Sequence, residues 1–276
     1  MEMVESLVYP ALSLGGLGLF FGLLLGFAAK KFAVKIDPRV AKIREALPGA
    51  NCGGCGYAGC DAYASAVVSG EASPAKCTAG GAEVAQKIAA ILGVEVGHFV
   101  RKVAFVKCAG SKEKAKEISL YEGVLDCRKA TIVPGGGTKA CKNGCLGFGS
   151  CVAACAFDAI YMENGVAKVD ERLCTGCGAC ASVCPRNVIT LIPATQDIRV
   201  MCNSTQKGVG VKNVCEAGCI GCGLCAKMCP SQAITMKDNL PVINPDLCTG
   251  CQVCAMKCPV GAISVPVNEK AKQMAG

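Results

Sequence analysis

The sequence predicts an α+β chain in three parts: a single N-terminal transmembrane helix, a small cysteine-bound domain, and a duplicated region of two paired-site modules. Three observations predict it. Residues 7–29 carry no charge. The 24 cysteines fall into short runs of fixed spacing. Short apolar stretches ending at a cysteine recur ahead of each half of the C-terminal region. The expected divisions are an anchor over 1–30, a linker over 31–50, a small domain over 51–98, a first module over 99–195, a second over 196–267 and a tail over 268–276.

The anchor comes first. Its segment LVYPALSLGGLGLFFGLLLGFAA is 23 residues long, the length of a helix across a bilayer. Glu2 and Glu5 precede it, and Lys30, Lys31 and Lys35 follow. The positive-inside bias puts the N-terminus outside and the rest of the chain in the cytoplasm. A cleaved signal peptide would carry basic residues before the apolar run and a small-residue cleavage site after it; the charges here run the other way. Gly15, Gly16, Gly18, Gly22 and Gly26 would let partner helices pack closely.

A polar linker with one helical turn (VAKIREAL) leads to NCGGCGYAGC, a C-x2-C-x4-C run of Cys52, Cys55 and Cys60, with Cys77 after sixteen more residues. Four soft thiolates at this spacing suit one 4Fe–4S cluster. Residues 60–68 read as a helix. Pro74 ends the helical stretch and turns the chain back to present Cys77, and 81–92 (GAEVAQKIAAIL) reads as an amphipathic helix closing the domain.

The strongest signal is Cys174, Cys177, Cys180 and Cys184 followed by Pro185, the C-x2-C-x2-C-x3-C-P run of bacterial ferredoxins. It recurs as Cys219, Cys222, Cys225, Cys229-Pro230 and as Cys248, Cys251, Cys254, Cys258-Pro259. A looser version, Cys141, Cys145, Cys151 and Cys155, has Ala156 in place of Pro, with Gly147 and Gly149 in its loop. In such runs the fourth cysteine ligates the other cluster of the pair. The expected sets are therefore Cys141, Cys145, Cys151 with Cys184; Cys174, Cys177, Cys180 with Cys155; Cys219, Cys222, Cys225 with Cys258; and Cys248, Cys251, Cys254 with Cys229. The spacers read as hairpins turning at 163–165 and 238–239, Asn-Gly being a strong turn signal, in a βαβ-like layout. Zinc knuckles would use pairs held apart by a long loop, often with His, and this chain has one His. A disulfide scaffold belongs to small secreted chains.

Cys108, Cys127, Cys202 and Cys215 remain. Residues 101–107 and 197–201 read as strands ending at Cys108 and Cys202, and 121–127 and 209–214 as their partners, so the region from 101 reads as a duplication. Either these four hold a sixth cluster at a pseudo-twofold or they are buried free thiols or two thiol pairs. The cofactor expectation is five 4Fe–4S clusters with a sixth open, and no flavin or NAD on this chain.

Composition fits. With 5% aromatic residues and no Trp, composition argues against a large ordinary core; small metallo-domains replace core with metal bonds. The formal charge is +8, but a 4Fe–4S core with four thiolates carries about −2. Five of them bring the loaded chain to roughly −2, which removes the argument for nucleic acid. The stretch 134–139 (PGGGTK) lacks the order of a phosphate loop and reads as a plain loop. His98 reads as structural. No nucleophile–base set and no strand–GxGxxG–helix is present.

The order of anchor, C-x2-C-x4-C-x16-C domain and ferredoxin runs resembles the RnfB family, the iron–sulfur components of the Rnf electron-transport complexes of bacterial membranes. The residues carrying the resemblance are NCGGCGYAGC with Cys77, KNGCLGFGSCVAACAFDAI and GCIGCGLCAKMCPSQAI. It implies a single-pass protein of the cell (inner) membrane. Such a protein would receive electrons from reduced, acidic, soluble ferredoxin and pass them to membrane and peripheral partner subunits that move Na+ or H+ and reduce NAD. Lys107, Lys112, Lys114 and Lys116 would then guide ferredoxin. The other reading is a membrane-tethered polyferredoxin serving a hydrogenase or heterodisulfide-reductase-like assembly.

Overall fold

The computed structural model describes residues 2–32, 37–97 and 99–265. Lys35, His98 and the tail over 268–276 lie outside the described residues.

Helix α1 (Glu2–Lys31) has 30 residues, about 45 Å at 1.5 Å per residue, enough to cross a hydrocarbon core about 30 Å thick. Its stretch Leu12–Lys31 is long and apolar enough to do so. The leucines and phenylalanines between Leu12 and Phe27 are exposed. A side chain built at Gly15, Gly16, Gly18, Gly22 or Gly26 would meet nothing within 4 Å.

The small domain packs three helices and one 3-10 turn. Asp37 caps α2 (Pro38–Ala46), accepting from the Arg39 amide at 2.8 Å, and Pro38 suits the first helical position, where no N–H is needed. Next come α3 (Cys60–Val68), the 3-10 turn Pro74–Lys76 capped by Ser73, and α4 (Gly81–Leu92), which ends on left-handed Gly93. Ile43, Tyr63 and Ile88 are fully buried between them. The Tyr63 hydroxyl donates to the Ser73 and Pro74 carbonyls at 2.9 and 3.0 Å, which holds the turn ahead of Cys77.

The C-terminal region is built from short elements: β1 (Lys102–Val106), α5 (Cys127–Ile132), α6 (Ser150–Ala153), β2 (Ile160–Glu163), β3 (Val166–Val169), α7 (Ala179–Ser182), β4 (Ile189–Pro193), β5 (Arg199–Val200), α8 (Val209–Lys212), α9 (Leu224–Lys227), β6 (Ile234–Lys237), β7 (Leu240–Ile243), α10 (Val253–Met256) and β8 (Ile263–Ser264). Strand β1 pairs antiparallel with β4, from Lys102 opposite Pro193 to Val106 opposite Ile189. β2 and β3 form a hairpin whose turn residues, Asn164 and Gly165, are both left-handed, as a type I′ turn requires. The same pairing recurs with β5 on β8 and β6 on β7. Each of α6, α7, α9 and α10 carries the third cysteine of its run as its second residue.

Three expectations are corrected. The βαβ-like layout is absent: the sheets among the described residues are two-stranded and antiparallel. The stretch 209–214 contains helix α8, not a strand. Val211 is buried while Val209 is 70% exposed, and a strand would have put both on one face. Residues 121–126 form no strand, and Cys127 opens α5, with the Asp126 carboxylate accepting from Arg128 and Lys129 amides at 2.9 Å each. β4 and β8, which close each module from its far end, are additional.

Three seams join the parts. The Arg199 guanidinium pairs with both Glu171 carboxylate oxygens and lies 5.5 Å from the Phe105 ring centre. Ala109 donates to the Met201 carbonyl at 3.0 Å, Lys116 to Val214 at 3.0 Å, and Glu216 to Lys114 at 2.9 Å. The small domain meets the first module at Gly54, where an added Cβ would lie 2.6 Å from the Cys177 carbonyl oxygen and 2.8 Å from its Cα. Because backbone cannot yield as a side-chain tip can, Gly54→Ala is expected to undock the small domain with its own fold intact. Limited proteolysis should show faster cleavage between residues 93 and 101, with unchanged iron content.

Candidate metal centres

No disulfide joins any of the 24 cysteines. Their placement tests whether a polynuclear group fits. In the small domain, Cys60 opens α3 and its amide donates to the Asn51 side chain at 2.9 Å. Cys77 faces Cys55, Cys52 and Cys60, and burial together with these neighbours pushes its thiol up. Burial also pushes Tyr63, beside Cys77 and Cys55, up to about 12, so it stays neutral.

In the first module, burial pushes Cys180 up to about 11, reinforced by Cys174, Cys177 and Cys155. Residue 155 comes from the other run, the crossing expected of paired sites. The Ala104 amide of β1 donates to Cys174 Sγ at 3.3 Å. In the second module, Cys219, Cys222, Cys225 and Cys258 line one cavity, and Cys229, Cys248, Cys251 and Cys254 line another. Burial raises Cys225 to about 11, with Cys219, Cys222 and Cys258 adding to it. The Ala262 amide donates to Cys258 Sγ at 3.3 Å.

The remaining cysteines group differently from the expectation. Cys145, Cys151 and Cys184 line one cavity, but their companion is Cys127 at the start of α5, not Cys141. Burial pushes Cys151 up to about 12, and Cys145 and Cys127 are its strongest charged neighbours. Cys141 lies instead with Cys108, Cys202 and Cys215: Cys108 and Cys141 act on the thiols of both Cys202 and Cys215.

These sets fit 4Fe–4S clusters by the chemistry of their donors. Each offers four soft sulfur donors. Among the described residues no three His, Cys, Asp or Glu close in tightly enough for a single ion, whereas zinc draws its thiolates in to about 2.3 Å. The buried hydroxyls of Thr78, next to Cys77, and Thr175, between Cys174 and Cys177, have no hydrogen-bond partner in the protein. Each hydroxyl is a free donor on a residue adjacent to an expected ligand cysteine. Buried donors without partners are rare in folded proteins, so a bound acceptor accounts for them.

Two cations that sequence reasoning missed sit among the thiols. Arg186 donates to the carbonyls of Cys141 at 2.7 Å and Gly144 at 3.2 Å and to that of Gly136, between Cys141, Cys145, Cys127 and Cys184. Lys139 is 3% exposed, and its ammonium donates to the carbonyls of Gly110 and Gly165 at 2.7 Å each. This use of Lys139 is incompatible with a phosphate loop. No local pattern marks either residue, because their partners are backbone carbonyls far along the chain. Of the four lysines expected to face a partner, Lys112, Lys114 and Lys116 line an open groove together with Lys212, Glu113, Glu117, Glu216 and Cys215. Lys107 is half-buried beside Cys184, and burial pulls its pKa down.

Removing the Arg186 charge leaves the negative charge of a bound group less compensated. Arg186→Gln is expected to lower the reduction potential of one or two clusters on the order of tens of millivolts. A redox titration followed by EPR would read this, with the other signals unmoved.

Comparison with known proteins agrees with the geometry. The family model "Putative Fe-S cluster" matches residues 47–79, "4Fe-4S binding domain" 167–190 and "4Fe-4S dicluster domain" 218–262. The B component of the Na(+)-translocating ferredoxin:NAD(+) oxidoreductase complex of Acetobacterium woodii is 46% identical over 207 residues, covering 75% of this chain and 62% of that protein, a little under two thirds of its length. The proton-translocating counterpart of Clostridium ljungdahlii is 46% identical over 198 residues, 71% of this chain and 69% of the relative. The B component of the ion-translocating oxidoreductase complex of Methanosarcina acetivorans is 41% identical over 211 residues, 76% of this chain and 80% of the relative. With iron–sulfur family models over these three stretches and this degree of identity, the chain belongs to the RnfB family, the B components of ion-translocating oxidoreductase (Rnf) complexes.

Proposed function

We propose that this chain is the membrane-anchored iron–sulfur subunit that accepts electrons from reduced ferredoxin and relays them into an ion-translocating ferredoxin:NAD oxidoreductase complex. The observation that carries the reading is a continuous series of thiol quartets, from Cys52 to Cys258, within a seamed body behind one apolar helix. A bound 4Fe–4S cluster supplies one-electron exchange without making or breaking substrate bonds. The protein's own residues hold the thiolates, screen them from water and set the charge around them. The relatives' names favour this reading over a polyferredoxin serving a hydrogenase or heterodisulfide-reductase-like assembly.

In this reading α1 crosses the cell membrane once. Lys30 and Lys31 in its last turn hold that end at the cytoplasmic face, and its bare glycine positions receive helices of partner subunits. The region from β1 to β8 is a duplicated pair of two-cluster modules. NAD reduction and ion movement belong to other subunits. Membranes carrying the complex are expected to lose ferredoxin-driven NAD reduction when this chain is absent and regain it with the loaded chain. Undiminished activity without the chain overturns the reading.

The lysines of the groove over Cys215 would receive the acidic ferredoxin. Opposite charges that meet at a rim act mainly on association rate and are screened by salt. Replacing Lys112, Lys114 and Lys116 with Gln is expected to slow electron uptake about tenfold at low ionic strength and to flatten its salt dependence. A salt dependence identical to that of the unsubstituted chain rejects this docking face.

A further inference from the structure

We infer that Cys108, Cys141, Cys202 and Cys215 hold a sixth 4Fe–4S cluster across the seam between the modules, and that Cys127 takes the place of Cys141 beside Cys145, Cys151 and Cys184. The inference rests on the iron–sulfur reading above and assigns ligands within it.

The register of the runs supplies the first argument. Cys141, Cys145, Cys151 and Cys155 are spaced C-x3-C-x5-C-x3-C, and so are Cys215, Cys219, Cys225 and Cys229. The looser run is thus the second module's run with one change. Where the second has Cys222, the first has Phe148, whose ring packs on Tyr121 at 4.8 Å between centres. Cys145 and Cys151 therefore correspond to Cys219 and Cys225, and the first module's site is short of one thiolate.

Cys127 fills that shortage. It comes from the longer stretch between Cys108 and Cys141, for which the second module has only the shorter one between Cys202 and Cys215. Its amide donates to Ser150 Oγ at 2.7 Å, and Ser150 Oγ donates to the Asp126 carboxylate at 3.0 Å. Ser150 directly precedes Cys151, so this pair of bonds fastens the inserted ligand to the run it completes. Val106, Leu146, Met162 and Val188 close the same cavity with apolar surface.

The register leaves Cys141 equivalent to Cys215, and Cys108, after β1, equivalent to Cys202, after β5. All four meet at the seam. A side chain added at Gly110 would lie 3.3 Å from Cys215 Sγ and 3.6 Å from Cys108 Sγ; one added at Gly144 would lie 3.3 Å from Cys141 Sγ and 3.5 Å from Cys108 Sγ. Their hydrogen bonds repeat the symmetry. Cys108 Sγ accepts from the Cys145 amide at 3.4 Å, and Cys202 accepts from the equivalent Cys219 amide as well as from Ser204. Cys215 itself lies in the bridge to Ala115 that joins the modules. Two thiolates from each module, with Arg186 alongside Cys141 and Lys139 bonded to the Gly110 carbonyl, make a charge-compensated four-sulfur site.

The test uses the full chain, loaded and handled without oxygen, with iron and acid-labile sulfide counted against protein. About 24 iron atoms per chain are expected. Cys127→Ala combined with Cys145→Ala should remove about four, no more than either alone, while Cys127→Ala combined with Cys202→Ala removes about eight. The reverse pattern overturns the regrouping. If the alanine variants fail to fold, serine, which changes one ligand atom from sulfur to oxygen, gives the second readout. Cys141→Ser and Cys202→Ser should shift the same EPR signal and Cys127→Ser a different one; a signal shared by Cys127→Ser and Cys202→Ser overturns the assignment. About twenty iron atoms, unchanged by Cys108→Ala, would overturn the sixth site and leave the iron–sulfur reading standing. A folded chain without iron would overturn both.

Discussion

The structure depends on bringing thiolates from distant parts of the chain to common points where their charges would repel. Burial and mutual repulsion raise Cys77, Cys151, Cys180 and Cys225. Each set is therefore uncomfortable as bare thiolates, and coordination is what makes it favourable, since ligands bind deprotonated and the binding free energy becomes folding free energy. This explains how a chain with so few aromatic residues holds so many small elements together. The strands are two to five residues long, too short to be stable alone. Their buried faces pack on cysteines as much as on valine and isoleucine.

The backbone meets the same demand by turning N–H groups towards sulfur. Ala104, Cys145, Ser204 and Ala262 all donate to a cysteine Sγ at 3.3 or 3.4 Å. Hydrogen bonds to sulfur and local charge are the levers by which a protein sets cluster potential. Pointing amides inward takes left-handed residues, and the run over 248–254 places Gln252 there at φ 62°, where the equivalent positions of the other runs have glycine. A side chain in that region costs roughly 1–2 kcal/mol, a modest penalty against the coordination it permits.

Contact between parts follows from the same logic. An electron relay needs its stations close and its geometry fixed. The Gly54–Cys177 approach brings the small domain against a cysteine of the first module, and the Arg199–Glu171 pair with the seam bonds sets the modules side by side. Helix α1 exposes its leucines and phenylalanines from Leu12 to Phe27. In the proposed reading it serves as the tether.

Much of this was legible from residue order. The uncharged span, the helices over 60–68 and 81–92, the hairpins and the grouping of cysteines by run all follow from local chemistry: charge, periodicity, turn residues and motif spacing. The α8 turn was not legible, because three valines in six residues suit a strand until only one finds a core. Nor were Arg186 and Lys139, whose partners are carbonyl oxygens without sequence signature. Residue order alone shows that the cysteines come in fours and that iron–sulfur chemistry is their use. Which cysteine joins which four at the first run was decided only in three dimensions. A ligand set is defined by convergence in space, and a cysteine 14 residues before the run begins can reach it as easily as one inside.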